Sequence, residues 1–319
     1  MLRAAWCWWA LLSACVPSSN DLGAHDALAH VLDAAFVRDG RVLTGGWALP
    51  RAREGSLDVG ALVGRWSLVG VGYTSCPDVC PAALAAMPSL AEAVSASTGS
   101  PLQVVFIAVD PSRDVPALPA YRQHFQEGLG VELIAASGDP SNLGAAAADL
   151  GLGFEVRGDE VQHSTAWALV APSGHVVGHV LHPTAVARTQ ADLDAHSASL
   201  QAAVHHVEVR DAWLRPPVAG GHIGAAYGRL VDHSGETRQL VSASKVDGTL
   251  VAVHETVVVD GLAGMRPARV PLPAHGQVVL QPMGAHLMVP HLRDATEVIL
   301  RLTFDDGEAL WARFGAPKQ

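Results

Sequence analysis

Two cysteines, Cys76 and Cys80, form the motif CPDVC at the point where an apolar run, WSLVGVGY, gives way to a helix-like stretch. Unpaired amides at the start of a helix favour the thiolate, the form of cysteine that binds metal and attacks disulfides. Thiolates are soft ligands that select Cu(I), and an imidazole suits either copper state. The motif alone leaves three interpretations open: a structural disulfide, a redox couple and a metal site.

Methionine is concentrated near the other end of the chain, where Met265, Met283 and Met288 lie within 24 residues. His254 precedes them, and the run HLM puts His286 and Met288 on one strand face, because side chains alternate along a strand. Thioether and imidazole groups without a carboxylate make a soft site suited to Cu(I). Methionine also fills gaps in protein cores, so packing is the competing interpretation.

The cysteine motif lies in a segment whose pattern alternates strands with helices. Apolar runs at 66–73 and 102–109 predict buried strands of parallel type, and 82–96, 117–126 and 142–150 predict helices. The run DPSRDVP after the second strand is predicted to be a loop. Residues 166–170 and 175–180, joined by the turn APSG, predict a β-hairpin. An Ala-rich helical stretch from 184 to about 204 ends this α/β unit.

From residue 206 to 314 the sequence pattern changes to short strand-like segments separated by Gly, Pro and Asp turns. Many short strands at this spacing predict a sandwich or barrel. The sequence therefore predicts two domains, an α/β domain over 35–204 and an all-β domain over 205–319.

The motifs GYTSCPDVCP, VDPSRD and QHSTAWALVAPSG closely resemble the Sco/SenC family of copper chaperones, over about half of the chain. The resemblance implies a thioredoxin-like fold and copper held by Cys76, Cys80 and His163. It also implies a role in building the CuA centre of cytochrome c oxidase. Asp110 and Asp114 fall in the matching loop, where we expect them at most to hold the ligand residues in position without binding copper themselves.

A thiol–disulfide oxidoreductase is the competing interpretation for this domain, because it shares the fold and the dithiol. The CxxxC spacing argues against it, since thioredoxin-type motifs are CxxC. So does the absence of a proline before Ala166, where thioredoxins carry their cis-proline. One departure from the Sco pattern is Gln162, which stands where the family usually has Asp.

In the second domain, VEVRDAWLRPP, GAAY, MRPA and LTFDDG resemble the periplasmic copper chaperone family PCuAC. The resemblance implies a cupredoxin-like β-sandwich that binds copper through His254, Met265, His286 and Met288. The gap between Met265 and His286 is one residue shorter than the family's usual spacing, and a turn at 273–276 would absorb the difference.

The first fifteen residues read as an export signal, with Arg3 before a short apolar run. The run ends in LSAC, which resembles a bacterial lipobox, so Cys15 is the expected lipidation site and 16–34 the expected tether. This predicts a lipid anchor at a bacterial membrane, facing the periplasm. A formal net charge of -10 lacks the basic footprint of a nucleic-acid binder.

Both halves thus point to copper in one exported compartment, at two sites. The expected function is a copper metallochaperone, not an enzyme, whose partner is the oxidase subunit that receives copper, with other copper chaperones as further partners. A thiol–disulfide reductase acting on that subunit and a periplasmic copper-sequestering protein are the alternatives.

Overall fold

Strongly apolar strands build a six-stranded mixed sheet from the first part of the chain. Its order is β1-β10-β9-β4-β5-β6, in which β4, β5 and β6 are parallel and the other pairs antiparallel. The strands are β1 (Phe36–Val42), β4 (Trp66–Gly72), β5 (Leu102–Ala108), β6 (Leu133–Ala136), β9 (Trp167–Val170) and β10 (His175–Val180). Every residue of β4, β5, β6 and β9 is buried, as expected for strands covered on both faces.

This computed structural model describes residues 36–204, 206–218, 220–259, 262–292 and 295–316. The predicted signal peptide at 1–15, its lipidation site Cys15 and the tether at 16–34 lie outside the described residues.

Helices cover both faces of the sheet, so that a separate hydrophobic core lies on each side. Two short hairpins are separate from this sheet, β2 (Leu49–Pro50) with β3 (Ser56–Leu57) and β7 (Phe154–Arg157) with β8 (Glu160–His163). The helices are α1 (Val59–Leu62), α2 (Val79–Thr98), α3 (Pro111–Gln126), α4 (Pro140–Asp149) and α5 (Val186–Val204).

Helix α2 is long and apolar enough to cross a membrane by length and composition. However, Leu84, Met87 and Leu90 on one of its faces are buried in the core of the domain. Helix α2 is therefore a core helix of this domain, and it follows the cysteine motif.

Helix α3 corrects one prediction, because the run DPSRDVP is not a loop. The helix begins at Pro111, directly after Asp110. Proline is favoured at the first helical position, where its missing N–H would have had no partner in the helix. Asp114 therefore lies in the first turn of a helix, with its carboxylate buried.

Ten further strands form the second sheet, which is nearly closed. The main path runs β11-β12-β18-β14-β13-β19-β20, with β15, β16 and β17 paired to β14, β13 and β12. A parallel bridge between Trp213 and Gly315 brings its two ends together. The strands are β11 (Val207–Arg215), β12 (Gly224–Asp232), β13 (Arg238–Lys245), β14 (Leu250–Val259), β15 (Leu262–Pro267), β16 (Val270–Leu272), β17 (Gln277–Leu280), β18 (Ala285–Val289), β19 (Val298–Phe304) and β20 (Ala309–Phe314).

The sheet folds into two layers around one core. Val253 and Leu287 enter this core from the layer of β14 and β18, and Leu302 and Phe314 enter it from the layer of β19 and β20. Neighbouring residues on each strand point away from the core, because side chains alternate.

Trp311 on β20 joins the two domains, and the described residues all belong to one compact unit. Its side chain is 2% exposed and packs in a core of the first domain. The indole Nε1–H donates to the Leu43 carbonyl at 2.8 Å, and the Trp311 backbone N–H donates to the Ser173 carbonyl at 2.9 Å. Arg313 adds a hydrogen bond of 2.9 Å to the Gly60 carbonyl. The two domains are therefore docked.

Candidate metal centres

Cys76, Cys80 and His163 converge where β4 passes into α2. One sulfur or nitrogen atom from each lies within 4.8 Å of the others. The Cys80 Sγ is 3.6 Å from Nε2 of His163, and both cysteines are buried and free of a disulfide. Among the described residues this is the cluster of cysteine, histidine and carboxylate groups whose geometry could hold a metal ion.

The two thiols meet although only one of them is on the helix. Helix α2 begins at Val79, so Cys80 lies in its first turn and Cys76 lies in the preceding turn. The backbone N–H of Cys80 donates to the Cys76 Sγ at 3.4 Å, which holds the two residues together. Gly72 at the end of β4 leaves room for Cys80, since a Cβ there would lie 2.7 Å from its sulfur.

Asp114 fixes the loop that carries Cys76. Its carboxylate accepts hydrogen bonds from the backbone N–H and the hydroxyl of Thr74, both at 2.7 Å, and from the backbone N–H of Asp110 at 2.8 Å. Asp110 is ion-paired with Arg113 and accepts from Ser112 at 2.6 Å. Asp114 thus holds the loop that carries Cys76, whereas the described side-chain contacts of Asp110 are to the first turn of α3.

His163 is the last residue of the β7–β8 hairpin. Its Nδ1 lies 2.9 Å from the Ser164 carbonyl oxygen, and when Nδ1 donates there, the lone pair of Nε2 faces Cys80. The ring also lies edge-on to Tyr73, with centroids 5.8 Å apart. Gln162, the departure from the Sco pattern, is exposed and donates to Glu160 at 3.1 Å. It does not support the His163 ring.

The environments of the two thiols differ. Burial opposes ionisation of Cys76, but hydrogen bonds from the backbone N–H groups of Asp78 and Cys80 outweigh it, so the pKa of Cys76 lies below its ordinary value. Burial, followed by the hydrogen bond with Cys76 and the charge repulsion from it, raises the pKa of Cys80 to about 12, against a smaller lowering by a hydrogen bond to the Tyr73 backbone. Cys76 is therefore the thiol of the pair that ionises more readily, and a metal that binds both sulfurs must also displace the proton of Cys80.

A groove of about 280 Å³ opens beside Cys80 and His163. Its walls are mainly apolar and come from the strands, α2 and the segment after β10. They include Val71, Val79, Phe106, Trp167, Leu181 and Pro183. The site is thus reachable from outside through an apolar surface.

The four residues predicted in the second domain lie on one face of three neighbouring strands. His254 on β14 is directly opposite His286 on β18, and Met288 is opposite Ala252, which shares the face of His254. Met265 on β15 is opposite Thr256, which also shares that face. Directly opposed residues point the same way, so the register brings all four to the outer face of this layer.

Burial differs among these four side chains. His286 is 4% exposed, whereas Met265 is 58% exposed on a projecting hairpin. The two imidazole rings lie 6.2 Å apart, and Nδ1 of His286 is 2.9 Å from the Gly284 carbonyl. Nδ1 of His254 is buried and has no hydrogen-bond partner in the part of the chain that the structure describes. An unsatisfied buried nitrogen in a soft donor set fits a metal ligand.

Two aromatic residues that the sequence patterns do not single out support this face. Tyr227 lies beside His286, with centroids 6.2 Å apart, and Trp213 stacks on Tyr227 at 4.4 Å. Trp213 belongs to the motif DAW and Tyr227 to the motif GAAY, so both residues could have been selected from the sequence. Their spacing did not show that the residues meet, because β11 and β12 have an irregular register there.

Two family models match the chain. Residues 38–197, half of the chain, match SCO1/SenC, and residues 207–313 match the model described as "Putative lipoprotein LpqE-like". The chain is 38% identical over 128 residues to the "Putative copper-binding protein" of Stutzerimonas stutzeri. The matched region covers 38% of this chain and 61% of that protein. The chain thus spans less than two thirds of this relative's length.

Two solved structures are similar to separate halves of the chain. The copper-bound ScoI of Arabidopsis thaliana is 25% identical, covers 46% of this chain and 98% of that one, and gives a TM-score of 0.38. The copper-bound PCuAC domain from PmoF2 is 16% identical, covers 36% of this chain and 94% of that one, and gives a TM-score of 0.29. The predicted order of folds, a thioredoxin-like α/β domain before a cupredoxin-like β-domain, is confirmed.

Proposed function

The chain belongs to the SCO1/SenC family through residues 38–197, with an LpqE-like domain of the PCuAC type after them, and from this membership we propose that it is a copper metallochaperone. The observation that carries the proposal is the cluster of Cys76, Cys80 and His163, whose donor atoms lie within 4.8 Å of one another. Two sulfurs and one imidazole are a donor set that selects Cu(I).

Copper is the cargo of such a protein, and the site suits a cargo that must leave. Cys80 and His163 line a groove that opens to the surface, where a partner's ligands can approach. Soft ligands that exchange one at a time transfer the ion without releasing it. Asp114 supports this site by holding the loop that carries Cys76, and Asp110 contributes through its backbone N–H, which donates to Asp114.

In the second domain, we propose that His254, Met265, His286 and Met288 bind a second copper ion. Their common strand face and the unpartnered Nδ1 of His254 support this assignment. Thioethers and imidazoles do not form disulfides, so such a site stays available under oxidising conditions.

The receiving partner that we propose is the subunit of cytochrome c oxidase that holds the CuA centre. The resemblance to the Sco family supports this choice. We further propose that the chain is exported and lipid-anchored at Cys15. The LSAC motif and a match to a model described as a lipoprotein support that location.

A second candidate function, thiol–disulfide reductase, is favoured by the same dithiol. Two free thiols this close can close to a disulfide, passing two electrons and two protons to a disulfide in a partner. The oxidised copper-site cysteines of the oxidase subunit would be such a partner.

The test is copper transfer from the loaded full chain to a soluble, copper-free CuA domain with reduced cysteines, followed by the CuA absorbance after ferricyanide has removed one electron from the two-copper centre. We expect transfer from the wild type and none from the Cys76→Ser, Cys80→Ser double variant. Copper binding without transfer would instead indicate a sequestering protein. If the chain reduced an oxidised CuA domain but delivered no copper, the reductase function would replace the chaperone function.

A further inference from the structure

Of the three methionines that lie close together in the second domain, Met283 is the one that the proposed copper site does not use. It lies in the turn between β17 and β18, three residues before His286. The backbone N–H of Gly284 donates to the Gln281 carbonyl at 3.1 Å and closes this turn, in which Pro282 is second and Met283 third. The Met283 side chain is mostly exposed, so packing in a core does not explain a methionine here.

The backbone of Met283 has a conformation that methionine rarely adopts. Its φ is 61°, in the left-handed region, and the third position of a turn with proline before it usually holds glycine. The other non-glycine residues with positive φ in the described part of the chain are Asp211, His275 and His291. Aspartate and histidine are enriched in this region, whereas methionine is not. Met283 therefore occupies its position at a conformational cost, and such a cost points to a function of the side chain.

The turn places Met283 at the edge of the face that carries His254 and His286. The Gly284 carbonyl accepts a hydrogen bond from the Thr256 N–H at 3.1 Å, and Thr256 is directly opposite Met265 on β15. The turn thus lies two strand spacings, roughly 10 Å, from the backbone of Met265. Because the methionine side chain is unbranched and has three rotatable bonds, its thioether can reach into this gap.

The exposure of the donor groups falls from the rim of this face to its centre. Met283 and Met265 are 66% and 58% exposed, whereas His286 is 4% exposed. Nδ1 of His286 is engaged by the Gly284 carbonyl, and Nδ1 of His254 is buried. An incoming ion therefore meets a thioether before it meets an imidazole, and thioethers are soft ligands that suit Cu(I).

We propose that Met283 is a further copper-binding residue of the second domain, which takes up Cu(I) at the rim and passes it to the buried imidazoles. The inference rests on the proposed function, because it requires the second copper site. It adds the route by which the ion enters and leaves that site. A residue that binds the ion only in transit speeds capture and release alike, so it leaves the affinity of the site unchanged.

The experiment measures how fast the copper-free full chain takes Cu(I) from a coloured chelator under reducing conditions. Cys76→Ser, Cys80→Ser is the background, so that only the second site binds copper. Met283→Leu keeps the size of the side chain and removes the sulfur. We expect it to slow both capture and the return of copper to excess chelator by about tenfold or more, a typical cost of losing a group that assists a metal site.

Two further variants separate the thioether from other effects. Val279→Ala changes an exposed apolar residue on β17, close to the same turn, and should leave both rates unchanged. Met265→Leu removes a proposed ligand, so it should speed the release of copper and lower the affinity. Equal rates in Met283→Leu and its background would overturn the inference, and so would a loss of affinity as large as that in Met265→Leu.

The stability of the turn gives a second readout. Met283→Gly relieves the positive φ, so it should unfold at no lower urea concentration than the wild type while capturing copper as slowly as Met283→Leu. A lower midpoint would show that the Met283 side chain stabilises the fold, and the inference would fail because the reason for methionine there would be structural. If the background chain binds no copper on its second domain, the proposed function of that site is wrong instead.

Discussion

Replacing Cys80 by serine is expected to abolish Cu(I) binding at the first site and to leave one copper ion per chain on the second domain. Serine keeps the size of the side chain in a position that is 4% exposed, so the domain stays folded. Its hydroxyl is a hard, neutral donor and does not replace a thiolate toward Cu(I). Loss of a residue that only supports a ligand typically costs about 10–100-fold in metal affinity, and loss of the ligand itself should exceed that.

Competition with a Cu(I) chelator of known affinity measures this effect. The second domain serves as an internal control, since its copper should be retained. Asp114→Asn is the matched variant, because it changes a residue that contacts Thr74 rather than the metal, and it should weaken binding without abolishing it. Unchanged affinity in the Cys80→Ser variant would show that the cysteines are not ligands.

Replacing Trp311 by alanine is expected to lower the free energy of unfolding by about 3–5 kcal/mol, the usual cost of truncating a buried aromatic side chain. The indole fills a space between the domains that glycines leave open. Gly174 has φ of 78°, and a Cβ there would lie 2.5 Å from the Trp311 ring. The surroundings are therefore shaped for this side chain, and they cannot fill the cavity that the alanine leaves without strain.

Urea unfolding followed by circular dichroism checks the effect, with Trp311→Phe as the control. Phenylalanine keeps most of the packing and loses the hydrogen bond to Leu43, so it should cost much less than alanine. We also expect the alanine variant to be cleaved faster by a protease between the domains. If Trp311→Ala left both stability and cleavage unchanged, the domains would not be docked in solution.

The clustering of Cys76, Cys80 and His163 could be expected from the sequence because the motifs that carry the family resemblance are local. Cys76 and Cys80 sit at a change from strand to helix, and His163 is fixed by its flanking motif. His254 and His286 lie opposite each other because of the strand register. The sequence placed these two residues together only through the resemblance to a family. The start of α3 was missed because Pro111 reads as a loop residue, although proline suits the first turn of a helix.

The docking of the domains could not be predicted from the sequence. Trp311 lies in an alternating strand pattern that indicates only which face it occupies, not what covers that face. Its partners, Leu43 and Gly174, are distant in the chain and carry no motif that points to β20.

The most direct test of the central claim is copper stoichiometry with X-ray absorption on the full chain under reducing conditions. We predict two copper ions per chain, one bound by two thiolates and an imidazole and one by thioethers and imidazoles. A chain that takes up no copper at Cys76 and Cys80 would contradict it, and the dithiol would then be assigned to redox exchange.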